Sequence, residues 1–198
     1  MLTLPMLPAQ QRRLLPSASK AMETLLTLAK DAGTHKAVML PAEKIVLSPE
    51  FRDICKSNQC GKYGKCWVCP PELPDVETVM ASVRSYSHAL WYQTVSAIED
   101  SFDIEGMLEA GKNHVMVSQH LQEQAAAILP EKFLHLTCGG CHLCPTCAKA
   151  EGLPCRIPEK ALPSLEGYCV DVYNTTKDTP LKYINGQNTV TYFGMILF

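Results

Sequence analysis

The stretch EKFLHLTCGGCHLCPTC, residues 131–147, changes character halfway. Its first half, EKFLHLT, reads as a short strand. Its second half sets Cys138, Cys141, Cys144 and Cys147 at three-residue intervals, with Gly139 and Gly140 after the first. Irregular backbone rich in glycine and proline has no apolar face to pack. Something else must hold it, and bound metal is the obvious candidate. The expected architecture is therefore a sheet with cysteine loops lying outside it.

Reading outward supports this. Upstream, Asp103–Leu129 has the periodicity of a long helix, with Ile104, Leu108, Val115, Leu121, Ala125 and Ile128 as core candidates. HALWYQTVS (88–96) reads as a strand, and Asp75 as the cap of a helix turning Val76, Val79, Met80 and Val83 inward. From Pro49 to Pro74 regular periodicity is lost. AVML (37–40) and KIVLS (44–48) read as a hairpin around a Pro-Ala-Glu turn. Ser19 caps a helix with Met22, Leu25, Leu26 and Ala29 on one face, stopped by Gly33. Residues 1–16, with several prolines and two arginines, read as a loose arm. Downstream, Pro163 starts a helix with Leu165, Cys169 and Val172 at helical spacing, and TVTYFGMILF (189–198) is a final strand. The alternation predicts an α/β or α+β domain over 17–198, a mixed sheet with flanking helices. Its cysteine loops fall at 49–74 and 138–160.

Composition narrows the function. The chain has 198 residues, 46% of them hydrophobic, enough for a real core. A formal charge of −2 gives no electrostatic case for nucleic acid or a membrane surface. No apolar run approaches the roughly 20 residues that span a bilayer. The N-terminus does not fit a signal peptide, because prolines interrupt its apolar part and the arginines follow it. A cytoplasmic location is expected. Thiols stay reduced there, so ten cysteines argue for metal over disulfides.

Eight of the ten fall into two groups. The first is Cys55, Cys60, Cys66 and Cys69, followed by Pro70-Pro71; the second is Cys141, Cys144, Cys147 and Cys155. Zinc usually takes two separated Cys-x2-Cys knuckles. A Cys-x2-Cys-x2-Cys triplet instead wraps one loop around a larger object, as in ferredoxin loops that hold cubane clusters. Two 4Fe–4S clusters are the expected cofactors, with zinc as the alternative. Gly61, Gly64, Gly139 and Gly140 would let backbone N–H groups approach inorganic sulfide, and Lys62, Lys65, Arg156 and Lys160 would offset cluster charge. Cys169 reads as a small buried hydrophobe and Cys138 as a spare thiol.

CGKYGKCWVCPP (60–71), CHLCPTCAKAEGLPCRIPEKALPSLEGYCVDVY (141–173) and YFGMILF (192–198) resemble the cysteine-rich, predicted metal-binding proteins grouped as domain of unknown function 2284. The resemblance runs from about residue 37 onward. It implies iron–sulfur cargo and the same eight cysteines as ligands, in proteins common among anaerobes. Cys138 and Cys169 depart from that pattern, which usually has small residues there.

Three functions remain open. The first is electron transfer to a redox partner protein, since no dinucleotide or Walker loop is present. The second is catalysis on a small molecule at an iron lacking a cysteine, by Lewis-acid or sulfur-transfer chemistry, with Lys62, Tyr63, Lys65, Trp67 and His142 as candidate lining. Trp67 also reads as a packing lid. The third is a zinc-stapled interaction module. His114 and His120 fall on opposite helix faces and form no site. Glu105, Glu109 and Glu123 read as a solvated face, and Glu159 and Glu166 as partners of Lys160 or Arg156.

Overall fold

The computed structural model describes residues 18–129 and 132–198; the arm expected over residues 1–16 lies outside the described residues. Four strands form one sheet: β1 (Lys36–Pro41), β2 (His88–Ala97), β3 (Leu134–Leu136) and β4 (Thr189–Leu197). Their order is β1-β2-β4-β3 and every pairing within the sheet is antiparallel, so the fold is α+β. Side chains alternate across the pleat. On one face Ala89, Trp91, Phe193, Met195 and Leu197 pack with Ile45, Val83, Leu165 and Val170. On the other, Leu90, Tyr92 and Ile196 meet Leu25 and Ala29 of α1 (Ala18–Asp31) and Val117, Leu121 and Ala125 of a long helix.

Three more helices precede that long one or follow it. α2 (Glu50–Lys56) leads into the first cysteine loop and α3 (Val76–Arg84) follows it. The Asp75 carboxylate accepts the Thr78 N–H at 2.8 Å, capping α3 as expected. α4 (Ile104–Ile128) is the long helix, capped by Asp103, and α5 (Val172–Lys177) is a short late one. Among the described residues no helix is long and apolar enough to cross a membrane.

Four local expectations are corrected. KIVLS forms no strand: a 3-10 turn spans Ala42–Lys44, only Leu47 bridges to Val170, and β1 pairs with β2 instead. Helical spacing from Pro163 is broken by Cys169, whose backbone is left-handed at φ 62, so α5 begins only at Val172, capped by Asp171. α2 lies inside the stretch that has no periodicity in sequence, because it is only two turns long. On α4 the inward face is Ala110, His114, Val117, Ser118, Leu121 and Ala125, while Ile104 and Leu108 are exposed.

That polar inner face is hydrogen-bonded. Tyr92 Oη lies 2.8 Å from both Ser118 Oγ and His135 Nε2, and Ser118 donates its proton to the His114 carbonyl at 2.8 Å. Ser118 has one proton, so Tyr92 supplies the one between it and Ser118, and His135 Nε2 donates to Tyr92. His135 Nδ1 is then an acceptor, which calls for the amide nitrogen of Gln122 at the position 3.0 Å away. Burial holds His114 down at about 4, against 6.5 ordinarily, and His135 at about 3, the latter also opposed by His114. Both values lie below those of the unfolded chain. Below pH 6.5 the unfolded state therefore binds more protons, and stability is lost as pH falls toward the folded values. Urea unfolding should show about 1 kcal/mol less stability per histidine at pH 5.5 than at pH 7.5. His114→Gln and His135→Gln should each lose about half as much as wild type between the two pH values, and the double variant almost nothing; a wild-type loss in the double variant would remove the histidines as its source.

Candidate metal centre

Three anchors fix the first cysteine loop. Cys55 rides the last turn of α2, and Arg52, one turn earlier, is buried. Its guanidinium donates to the Gly167 and Pro74 carbonyls, both at 2.7 Å. Within the loop, Gly61 N–H donates to Asn58 O at 3.0 Å and Gly64 N–H to Pro70 O at 2.9 Å. Both glycines have positive φ, a conformation costly for other residues. Their N–H groups thus serve the loop itself. A turn closes with Cys69 N–H on Cys66 O at 3.2 Å.

The second loop leaves β3 through Thr137, whose N–H donates to Pro163 O at 3.0 Å. A 3-10 turn at Ala148–Glu151 folds it back. Arg156 stays within this loop, on Thr146 O at 3.0 Å and Glu151 at 2.9 Å. The two loops are joined directly. Trp67 Nε1 donates to Leu153 O at 2.9 Å, Lys149 Nζ stands 4.3 Å from the Trp67 ring centre, and the same ammonium pairs with Glu72 at 2.6 Å. Trp67 is therefore a strut between loops. A Cβ at Gly140 would lie 3.3 Å from Cys69 Sγ, so only glycine allows this approach without displacing the thiol or the Lys62 stem.

The thiols do not divide strictly by loop. Cys55, Cys60 and Cys69 line a cavity of about 260 Å³, with Lys62 and Tyr63 on one side and Gly139, Gly140 and Glu166 on another. Cys141, Cys144, Cys147 and Cys155 surround a gap of about 20 Å³. Cys66 stands between, interacting with the thiols of both Cys69 and Cys147. All ten cysteines are free thiols. Among the described residues no three His, Cys, Asp or Glu side chains converge as the ligands of a single ion must.

Charge follows this arrangement. The interaction with Cys69 lowers the Cys66 thiol against its burial. The same interaction, then burial, pushes Cys69 up. Burial and then the Glu166 carboxyl raise Cys55, and burial raises Cys141.

Cys138 opens on a different cavity from either thiol set, and burial pushes it up to about 12. Cys169 is fully buried in the core. His142 is exposed on the second loop, held below the ordinary imidazole value by partial burial and by Lys62. Lys65 lines none of these cavities. The expected ion pairs of Glu166 are corrected: Arg156 is taken by Glu151 and Lys160 by Glu123 at 2.9 Å. Glu166 sits in the wall of the three-thiol cavity with its carboxyl facing its own N–H and that of Gly139, and burial raises it. Neither Glu166 nor Arg52 stood out in the sequence. Glu-Gly two residues before Cys169 gives no hint of enclosure, and the burial of Arg52 depends on carbonyls far along the chain.

An α+β scaffold whose two loops bring cysteine thiols together has the donor chemistry of a cysteine-rich metal-binding protein. Residues 38–198 match the profile of a family described as predicted metal-binding protein, domain of unknown function 2284, and the chain belongs to that family. No curated protein and no solved structure matches it.

Proposed function

We propose that the protein is an iron–sulfur redox protein holding two 4Fe–4S clusters and passing electrons to a partner enzyme in anaerobic metabolism. The observation that carries this reading is the thiol arrangement: two all-cysteine sets, spread around spaces instead of gathered on a point, meet at the Cys66–Cys69 contact. A multi-atom cluster needs ligands further apart than a single ion does. Cys55, Cys60 and Cys69 would hold one cluster, Cys141, Cys144, Cys147 and Cys155 the other, and Cys66 stands within reach of both. Such clusters supply one-electron transfer when bound. The chain's own part is to close the three-thiol cavity with buried Pro70 and Gly140, and to hold the two loops together through Trp67.

A second reading, catalysis on a small substrate, is favoured by the three-thiol cavity, whose remaining wall is formed by Glu166, Lys62 and Tyr63. One experiment separates these from a zinc module. Iron, sulfide and zinc are assayed in protein purified without oxygen, and the dithionite-reduced sample is examined by EPR. About eight irons and eight sulfides per chain are expected. Signals that shift on adding small molecules favour catalysis; zinc without sulfide overturns both redox readings.

A further inference from the structure

β3 is three residues long and covers only Met195–Leu197 of β4. Beyond its end the chain turns away at Thr137, and among the described residues no strand pairs with the Thr191–Phe193 part of β4 on that side. A cavity of about 390 Å³ fills this corner, within the size range of small-ligand sites. Met107, Leu108 and Val115 of α4 form one wall, and Tyr192 and Phe193 another. Gly139 and Glu166 line it too, and both also line the three-thiol cavity.

Charge in this cavity is unbalanced. Glu166 is in no ion pair among the described residues. Lys112 at the rim is paired with Glu109 at 3.2 Å and both are well exposed. His142 lines the cavity from the second loop. Lys62 lines the three-thiol cavity beyond the shared wall and forms no ion pair with Glu166 among the described residues, and Cys138 carries no positive charge. An enclosed carboxyl without a cation is costly, and an incoming anion would add to that cost.

We propose that this cavity binds a small primary amine with an apolar body, its ammonium on the Glu166 carboxylate and its body against Met107, Val115 and Tyr192. The site goes beyond the cluster reading and does not depend on which metal the cysteines hold.

The test is calorimetric titration of the full chain, purified without oxygen, with three probes of one shape: benzylammonium, benzyl alcohol and benzoate. Benzylammonium is expected to bind at least tenfold more tightly than the alcohol, with benzoate weakest. Glu166→Gln keeps the shape and removes the charge; it should bring benzylammonium to within about threefold of the alcohol. Gly111→Leu should abolish binding of all three, since a side chain there is directed at Tyr192 with ordinary contact at its first atom, 3.7 Å. Benzoate binding as tightly as the amine, a preference that survives Glu166→Gln, or no binding of any probe would each overturn the proposal. Iron and sulfide are assayed on the same samples. An amine preference in protein that holds zinc would sink the cluster reading and leave the amine site standing.

Discussion

Cys66→Ser is expected to lose iron from both thiol sets, whereas Cys144→Ser loses it from one. Cys66 interacts with Cys69, which faces the three-thiol cavity, and with Cys147, which faces the other set. These contacts lower its thiol toward the form that binds metal. Serine in its place keeps the size but offers a hydroxyl with little tendency to ionise. Cys144→Ser, remote from this junction, should remove about four of roughly eight irons. Cys66→Ser should remove clearly more than that. Cys169→Ala is the control: its thiol is buried in the core and lines neither cavity, and its iron should match wild type. Circular dichroism on each variant separates loss of metal from loss of fold. If Cys66→Ser and Cys144→Ser lose the same amount, Cys66 serves one set only. If Cys169→Ala loses iron while folded, the ligand assignment fails.

The second large effect falls on the sheet. Gly194 is paired with Tyr92 across β2 and β4, and a Cβ there would run into the Tyr92 ring. That ring cannot swing aside. It is fully buried, stacked on His114 and held by Ser118 and His135. Gly194→Ala should therefore destabilise the protein by about 3 kcal/mol, the upper end for forcing one extra carbon into a packed core. Denaturant unfolding measures it directly. A loss below about 1 kcal/mol would mean the ring relaxes at little cost, and the network beneath it is softer than its hydrogen bonds imply.

What the sequence shows of this fold is its repeating parts. HALWYQTVS and TVTYFGMILF alternate across a buried sheet, and Asp75 and Asp103 mark helix starts by chemistry that needs no tertiary context. The face of α4 is hidden because its buried positions include His114 and Ser118, polar residues that look exposed until Tyr92 and Thr94 arrive from β2. Cys169 hides a break in helical spacing because nothing in a cysteine announces left-handed backbone. At the site, spacing names the thiols but groups them by loop. Cys66 and Cys69 are three residues apart, yet the tight turn between them leaves Cys69 on one cavity and Cys66 toward the other loop. Enclosure of Glu166 between two cavities follows from where Gly139 lands, which only the folded sheet decides.

The segment joining Cys66 to Cys147 contains β2, α4 and β3, most of the scaffold. Bringing those two sulfurs together from a disordered chain would mean closing a very long loop against its entropy. The sheet closes it beforehand, because pairing of β2 with β4 and β4 with β3 carries the second loop to the first. The junction between the thiol sets therefore depends on β4, the strand that lies between β2 and β3: a chain in which β4 is not seated has both loops and all their thiols, but not the contact between them.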